Sequence, residues 1–463
     1  MITRFTVALI ALSLIAACQS TPPEDPPAVS DNRPNIVFIH VDDMGYGDIG
    51  CYGAPDAKTP FIDNLAAEGV KFTHYYSNGN ECTPTRTAFM TGRYQHRVGG
   101  MECAIGTGNV GRYDDAIKLA DNRNLGLPVD QTVIPSSLKQ VGYRAGLYGK
   151  WHLGYEPKFN PLNYGFDDFF GCLGGNVDYF THRELSDLPV LYKNRRAIER
   201  EGYMTHLTTD EALDFIDQSS GQPFFLYIAY TTPHFPYQGP GDADLEITRE
   251  NFMTGTREKY VEMLEDMDSE VGRVVRAIDM KGIRDNTVIV YASDNGGTKL
   301  AHHGVFSGHK SGTMEGGIRV PLIVRWPNRI RPGTVSEQMA ITMDLTRSFL
   351  RIAGGEPKQD LPPDGIDIID HIENQRQDFK RTFHWRDRRG DRTWWAINDG
   401  RMKYIKKIDG DTTNEWLFNL HDDPGEKNNL YASHPEVAAD LKTKLTQWEA
   451  DVQPNESRYA AEE

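Results

Sequence analysis

The sequence predicts an α/β fold, with a large, mostly parallel sheet sandwiched by helices and then a small C-terminal antiparallel sheet plus a helix. Three observations predict it. Near-continuous apolar runs recur from residue 35 to residue 326, and helical periodicity fills the stretches between them. Beyond residue 375 the texture changes to short segments rich in Trp, Arg and Asp. Apolar runs alternating with helices indicate layers of helix on a parallel sheet.

The first run, Asn35 to Val41, suits a strand buried on both faces of such a sheet. Tyr143–Tyr148, Phe224–Tyr230, Thr287–Ala292 and Val320–Trp326 read the same way. Thr59-Pro60 opens a helix that runs through Phe61, Leu65 and Ala66 and stops at Gly69, with a cap residue first and glycine last. Ser136–Val141, Thr208–Ile216 and Arg257–Met280 are further helices. The last carries Tyr260, Met263, Leu264, Met267, Val271, Val274, Val275 and Ile278 as an apolar stripe, read as core. Gly99 to Gly126 has no clear period and reads as an insertion loop near the site. Phe383 to Asp387 and Trp394 to Ile397 predict the small antiparallel sheet, and Pro435–Val452 the final helix.

A chain of 463 residues holds one large domain and a smaller one. The expected boundaries are a signal segment at 1–18, a tether at 19–32, a catalytic α/β domain at 33–375 and a C-terminal subdomain at 376–463. Fifty basic against 66 acidic side chains give a formal charge of −16. That excludes a general nucleic-acid binder, which needs a basic surface. It does not exclude a local basic pocket for one small anion.

Arg4 precedes the apolar stretch Phe5–Ala17, too short to span a bilayer. The stretch ends Ile15-Ala16-Ala17-Cys18, which resembles the lipobox of bacterial lipoproteins, with lipidated Cys18 as the new N-terminus. An ordinary secretory signal with a chance cysteine is the alternative. Gln19 to Ser30, with Pro22, Pro23, Pro26 and Pro27, reads as a tether without structure. These features place the protein outside the cytoplasm, as a cell-envelope lipoprotein. Cys51, Cys103 and Cys172 allow at most one disulfide.

Five clusters carry chemistry. Asp42-Asp43 ends the first strand, and Asp294-Asn295-Gly296-Gly297 follows the strand Thr287–Ala292. Ligands of open α/β sheets sit beyond the carboxyl ends of strands. Hard oxygen donors gathered there suit calcium or magnesium, not zinc. A single Asp in such a place also serves as a turn former. Cys82-Thr83-Pro84-Thr85-Arg86 leads into a helix, so Cys82 stands at a helix N-terminus, where a thiol pKa is expected to fall. Lys150 and His152 end the run Tyr143–Tyr148; two apart on a strand, they would share a face and could bind an oxyanion and move a proton. His234 follows Phe224–Tyr230, and Lys310 lies in the glycine-rich stretch Gly308–Gly317.

With these residues the sequence resembles the type I, formylglycine-dependent sulfatases of the alkaline-phosphatase-like superfamily. Cys82-Thr-Pro-Thr-Arg86 followed by Thr91-Gly92-Arg93 matches the signature with the core Cys-x-Pro-x-Arg. Thr85 stands where the family usually has Ser, and keeps the hydroxyl. Gly149-Lys-Trp-His-Leu-Gly154, Ser293 to Gly297, Glu315 to Pro321 and Leu417 to Leu430 are further blocks in the same order. The resemblance implies that a maturation enzyme oxidises Cys82 to formylglycine. It also implies one calcium ion held by Asp42, Asp43, Asp294, Asn295 and the modified residue 82. Arg86 and Lys150 would hold the aldehyde hydrate, which attacks sulfur, and His152 would act as base. His234 and Lys310 would meet the sulfate and the leaving oxygen. The implied substrate is a sulfated carbohydrate, with Arg183, Arg386, Arg388 and Trp394 offered as contacts to it. Two alternatives stand: a phosphoester or phosphonate hydrolase of the same superfamily, and a non-catalytic glycan-binding lipoprotein.

Overall fold

Every residue of the strand Asn35–Val41 is buried, so it needs partners on both edges and cover on both faces. The structure is a computed structural model that describes residues 32–186, 188–219, 221–356 and 361–459. The signal segment with Cys18, and the tether as far as residue 31, lie outside these. Among the described residues, Asn35–Val41 pairs in parallel with Phe224–Ala229 on one side and Thr287–Ser293 on the other. Arg144–Gly149 and Asp168–Cys172 continue the parallel order outward from Phe224–Ala229. With shorter strands at both edges the sheet has ten strands.

Alternate side chains of the central strand enter two cores. Ile36 and Phe38 face Phe89, Leu138 and Phe349, from helices Cys82–Thr91, Ile134–Gln140 and Met343–Ile352. Val37, Ile39 and Val41 face helices Pro60–Ala67, Met204–Gln218 and Arg257–Met280. The stripe read in Arg257–Met280 is core: Tyr260, Met263, Leu264, Met267, Val271, Val274 and Ile278 are all fully buried, and Val275 packs against them half-buried. Each such side chain contributes about 1.5–3 kcal/mol by leaving water.

Two elements differ from their reading. The strand expected at Val320–Trp326 spans Leu322–Arg325 and runs antiparallel, between Thr287–Ser293 and Val70–Phe72. An apolar run encodes burial, not direction. The segment Gly99–Gly126 contains a helix, Asp114–Asp121, which buries only Ala116 and Leu119 and so leaves a weak pattern.

The C-terminal sheet is four antiparallel strands in sequence order: Phe383–Arg389, Arg392–Asn398, Met402–Asp409 and Thr412–Asn419. One face packs under helix Pro435–Asp451, where His384 stacks on Trp448 at 5.1 Å and Trp395 donates to Glu449. The other face meets the loops of the large sheet. Trp385 Nε1 donates to Ser77 O (2.8 Å), and the buried Lys403 donates to Glu315 (2.8 Å) and Glu426 (2.9 Å). Arg386 and Arg388, offered above as sugar contacts, instead clamp the buried Glu102 in paired hydrogen bonds of 2.7–3.1 Å. This clamp fastens the Gly99–Gly126 segment to the C-terminal sheet. Arg183 pairs with Glu199 near the surface (3.1 Å). No helix of the described residues is long and apolar enough to cross a membrane.

Two outcomes follow from these ion pairs. Lys403→Ala leaves Glu426 buried without a cation and Glu315 with Arg319 alone (3.2 Å), and should cost on the order of 3–5 kcal/mol in denaturant unfolding. Burial alone would raise the Glu102 carboxyl, but Arg386 and Arg388 outweigh it and lower it from 4.5 to about 2. A carboxylate held lower in the folded state adds stability that is complete above pH 4.5 and is lost as pH falls towards 2. The loss should reach about 3 kcal/mol below pH 2, of which about 2 kcal/mol falls between pH 5 and pH 3, and unfolding of Glu102→Gln between pH 5 and pH 3 should lack that part.

Candidate active site

The parallel strands end on one rim, and the predicted clusters meet there. Asp42 and Asp43 leave Asn35–Val41, Lys150 leaves Arg144–Gly149, His234 follows Phe224–Ala229, and Asp294 and Asn295 leave Thr287–Ser293. Lys310 does not end a strand; it arrives on the loop before the short helix Glu315–Ile318. Cys82 is the first residue of helix Cys82–Thr91, and every residue of that helix is buried.

Cys82 Sγ lies 3.3 Å from Asp42 Oδ1, 3.1 Å from Lys150 Nζ and 3.8 Å from Lys310 Nζ. Lys150 Nζ donates to Asp42 Oδ2 (2.5 Å), and Lys310 Nζ to Asp43 Oδ2 (2.7 Å). Arg86 donates twice to Asp294 Oδ2 (2.9 and 3.1 Å) and once to the Lys150 carbonyl (3.0 Å). Asn295 Nδ2 donates to Asp43 Oδ1 (2.7 Å). Three carboxylates thus face three cations, all of them buried apart from the slightly exposed Lys310. Burial pushes Asp42 up to about 7 against the pull of Lys150. Burial also raises Asp294, but Arg86 outweighs it and holds that carboxyl well below its usual range.

The thiol does not behave as its helix position predicts. Burial and the adjacent Asp42 push Cys82 well above the ordinary thiol range, against Lys150 and Lys310. Loss of water and a neighbouring carboxylate outweigh the helix dipole. Among the described residues Cys51, Cys82, Cys103 and Cys172 are all free thiols.

Both histidines are buried, and burial with nearby lysine charge holds each well below 6.5, so both are neutral. His152 Nε2 sits 2.9 Å from Ile105 O. A carbonyl only accepts, so Nε2 carries the hydrogen, and Nδ1, buried without a partner, presents a lone pair. The pairing of Lys150 and His152 on one strand face does not occur, because the strand ends at Gly149 and His152 adopts φ +55°. Gly175 makes this position possible: a Cβ there would stand 2.4 Å from the imidazole. His234 Nδ1 faces its own neighbour's carbonyl, Phe235 O, at 2.6 Å, which turns the Nε2 lone pair towards Asp43 Oδ2 at 3.5 Å.

A cation fits these donors. Ligand atoms of Asp42, Asp43, Cys82 and His234 all lie within 4.8 Å of one another. Asn295 Oδ1 is buried with no hydrogen-bond partner. A carboxylate facing an imidazole lone pair, beside an orphaned amide oxygen, is a set that a hard cation would satisfy. Asp294 stands a step back in this set, since Arg86 takes its Oδ2 and the Asp43 amide its Oδ1.

Sequence reading missed what fixes the turn before Cys82. Glu81 Oε1 accepts from Ser311 Oγ (2.6 Å) and Arg389 Nη1 (2.5 Å), and Oε2 accepts from Ala104 N (2.8 Å). Four distant segments join at this carboxylate, and its one sequence signal is its place next to Cys82. Thr85 Oγ1 accepts from Gly79 N (3.0 Å), so the hydroxyl kept in place of Ser closes the same turn.

Comparison with known proteins agrees with this geometry. Residues 34–355 match the family model described as Sulfatase, and residues 302–451 match that described as N-sulphoglucosamine sulphohydrolase, C-terminal. The N-acetylgalactosamine-6-sulfatase of Canis lupus familiaris is 33% identical over 390 residues, 80% of this chain and 71% of that protein. Arylsulfatase J of Mus musculus is 30% identical over 477 residues, 91% of this chain and 77% of that protein. The crystal structure of Ps i-CgsB superposes with a TM-score of 0.79 at 30% identity, covering 91% of this chain and 94% of that one. The phosphonate monoester hydrolase of Agrobacterium radiobacter, at 18% identity and a TM-score of 0.64 over 91% of this chain and 96% of that one, shares the fold. The chain therefore belongs to the sulfatase family and is a sulfatase.

Proposed function

We propose that this sulfatase removes sulfate esters from a sulfated carbohydrate, with a nucleophile made from Cys82 by conversion to formylglycine and with one calcium ion. Asp42, Asp43, Asp294, Asn295 and residue 82 would hold the ion, with His234 Nε2 beside them. The observation that carries the reading is the buried meeting of Cys82 with three carboxylates, Arg86, Lys150 and Lys310 at one rim of the sheet. Relatives named N-acetylgalactosamine-6-sulfatase, and the 30% identical Ps i-CgsB solved in complex with k-i-k-neocarrahexaose, support a saccharide substrate.

When bound, the calcium supplies positive charge against the sulfate oxygens, and the hydrated aldehyde supplies the attacking hydroxyl. The chain's own groups do the rest. Lys150, within reach of residue 82 and Asp42, orients the nucleophile. Arg86 fixes Asp294 and the Lys150 backbone behind it. Lys310, on the more open side, answers charge developing on the sulfate and leaving oxygens. His152, neutral with a free Nδ1 lone pair, accepts a proton at that atom. His234 meets the sulfate from the Asp43 side. Since the three carboxylates and three cations balance, a divalent ion would leave the pocket positive, which suits an anionic ester. The maturation enzyme and export as a lipoprotein anchored at Cys18 are part of the same proposal.

Nitrophenyl sulfate turnover should fall by at least about 10³-fold in Cys82→Ala and about 10²-fold in Lys310→Ala. Chelation should abolish it and calcium restore it. Mass analysis of the peptide around residue 82 should show an aldehyde in place of the thiol. Undiminished turnover in Cys82→Ala, or faster release from the phosphate or phosphonate ester than from the sulfate, would refute the assignment.

A further inference from the structure

On the inner face of the C-terminal sheet, next to the nucleophile, a group of side chains is left without partners. Asp387 is 2% exposed, and neither of its carboxylate oxygens has a hydrogen-bond partner. Arg392 Nη2 stands 4.0 Å from Asp387 Oδ1, beyond hydrogen-bond reach, and Arg392 Nε and Nη2 are also buried and unpartnered. A buried carboxyl and a half-buried guanidinium held 4.0 Å apart, with no hydrogen bond between them, leave donors and acceptors for something else. Trp394 lies directly opposite Asp387 in the strand register, so both point to the same face. Its Nε1 is likewise unpartnered, and its ring stacks on Trp416 at 6.2 Å and 21°.

This face is continuous with the catalytic rim. Arg389, two residues beyond Asp387, binds Glu81 immediately before Cys82. A Cβ on Gly312, two residues after Lys310, would lie 3.8 Å from Trp394 Cζ2. The turn that follows Arg389 is fixed to the Gly99–Gly126 segment by Gly390 N donating to Arg112 O (2.6 Å). The half-buried Arg112 has no carboxylate partner among the described residues, and its charge is felt at His152 and Cys103. A half-buried indole with Lys407 Nζ over part of its ring (5.3 Å from the centroid), a carboxyl with two unused oxygens and two guanidiniums without carboxylate hydrogen bonds match one ligand chemistry. The ring takes a sugar face, the carboxyl a pair of hydroxyls, and the guanidiniums an anionic substituent.

We propose that Asp387, Arg392 and Trp394, together with Arg112, form a saccharide subsite beside residue 82 that selects sulfated sugars carrying a second anionic group. The inference deepens the sulfatase reading and rests on it for the place of the scissile ester. Asp387 binds hydroxyls, Trp394 stacks on the ring, and Arg112 and Arg392 hold the second sulfate or carboxylate.

The test is competition by k-i-k-neocarrahexaose and by a chondroitin 6-sulfate tetrasaccharide against nitrophenyl sulfate turnover, with unsulfated maltohexaose as control. For the parent, at least one anionic oligosaccharide should inhibit and maltohexaose should not. In Asp387→Asn, Trp394→Ala and Arg112→Ala, the ratio of inhibition constant to nitrophenyl sulfate KM should rise at least about tenfold. Trp394→Phe, which keeps an aromatic face, should recover most of the loss. An unchanged ratio in all three variants overturns the subsite, as does a parent that hydrolyses nitrophenyl sulfate yet is inhibited by neither anionic oligosaccharide. A parent that does not hydrolyse nitrophenyl sulfate overturns the sulfatase reading instead. Calorimetric binding of the same oligosaccharides to the parent and to Asp387→Asn then still decides the subsite.

Discussion

Three buried carboxylates, Asp42, Asp43 and Asp294, set the terms for the rest of the molecule. They crowd together because two neighbouring strand ends deliver them to one rim, Asp42 and Asp43 from one and Asp294 from the other, and none can be ionised there without compensation. Arg86, Lys150 and Lys310 supply it, each against a different carboxylate. These cations come from a helix, a strand end and a loop, so the charge balance forces remote parts of the chain into register around Cys82. The two hydrophobic cores on either side of the sheet hold the strand ends still enough for this to persist.

The same constraint decides what Cys82 can do. A helix N-terminus lowers a thiol pKa by a favourable dipole, but the effect is modest and falls off within a turn. Removal of water around the sulfur, and Asp42 at 3.3 Å, act in the opposite sense and prevail. The site is thus ill suited to a thiolate at residue 82. The histidines fit the same logic. Burial keeps them neutral, and their single carbonyl contacts fix which nitrogen offers a lone pair.

Much of this was legible in the sequence because the chemistry sits next to the strongest structural signal. Asp42, Lys150, His234 and Asp294 each follow an apolar run, and a strand end in an α/β sheet marks the ligand side. What was not legible depended on contacts between distant residues. Nothing local shows that Leu322–Arg325 runs antiparallel, since direction comes from how the chain returns to the sheet. The latch of Glu81 with Ser311 and Arg389 has no periodicity to reveal it. Arg386 and Arg388 looked like exposed ligands for an anion because their partner, Glu102, lies 284 residues away from Arg386 in the chain. Helix Asp114–Asp121 was hidden because it buries so little.

The C-terminal sheet shows how a small element can serve both stability and recognition without conflict. Its strands alternate, so one face takes helix Pro435–Asp451 and the other the loops of the large sheet. Along that second face the residues change character with distance from the core. Trp385 and Lys403 are fully buried and have their polar groups paired, which locks the sheet in place. Asp387 and its cross-strand neighbour Trp394 come next and, with Arg392, keep polar atoms unpaired although they are largely shielded from water. At the outer end Arg389, opposite Arg392, ties the sheet to the turn before the nucleophile. Unpaired groups at that depth weaken the fold, and a sheet anchored so firmly at its inner end tolerates them. The anchor keeps these groups at a fixed distance from residue 82, which is what selection among substrates requires: a second point of contact held rigidly relative to the first.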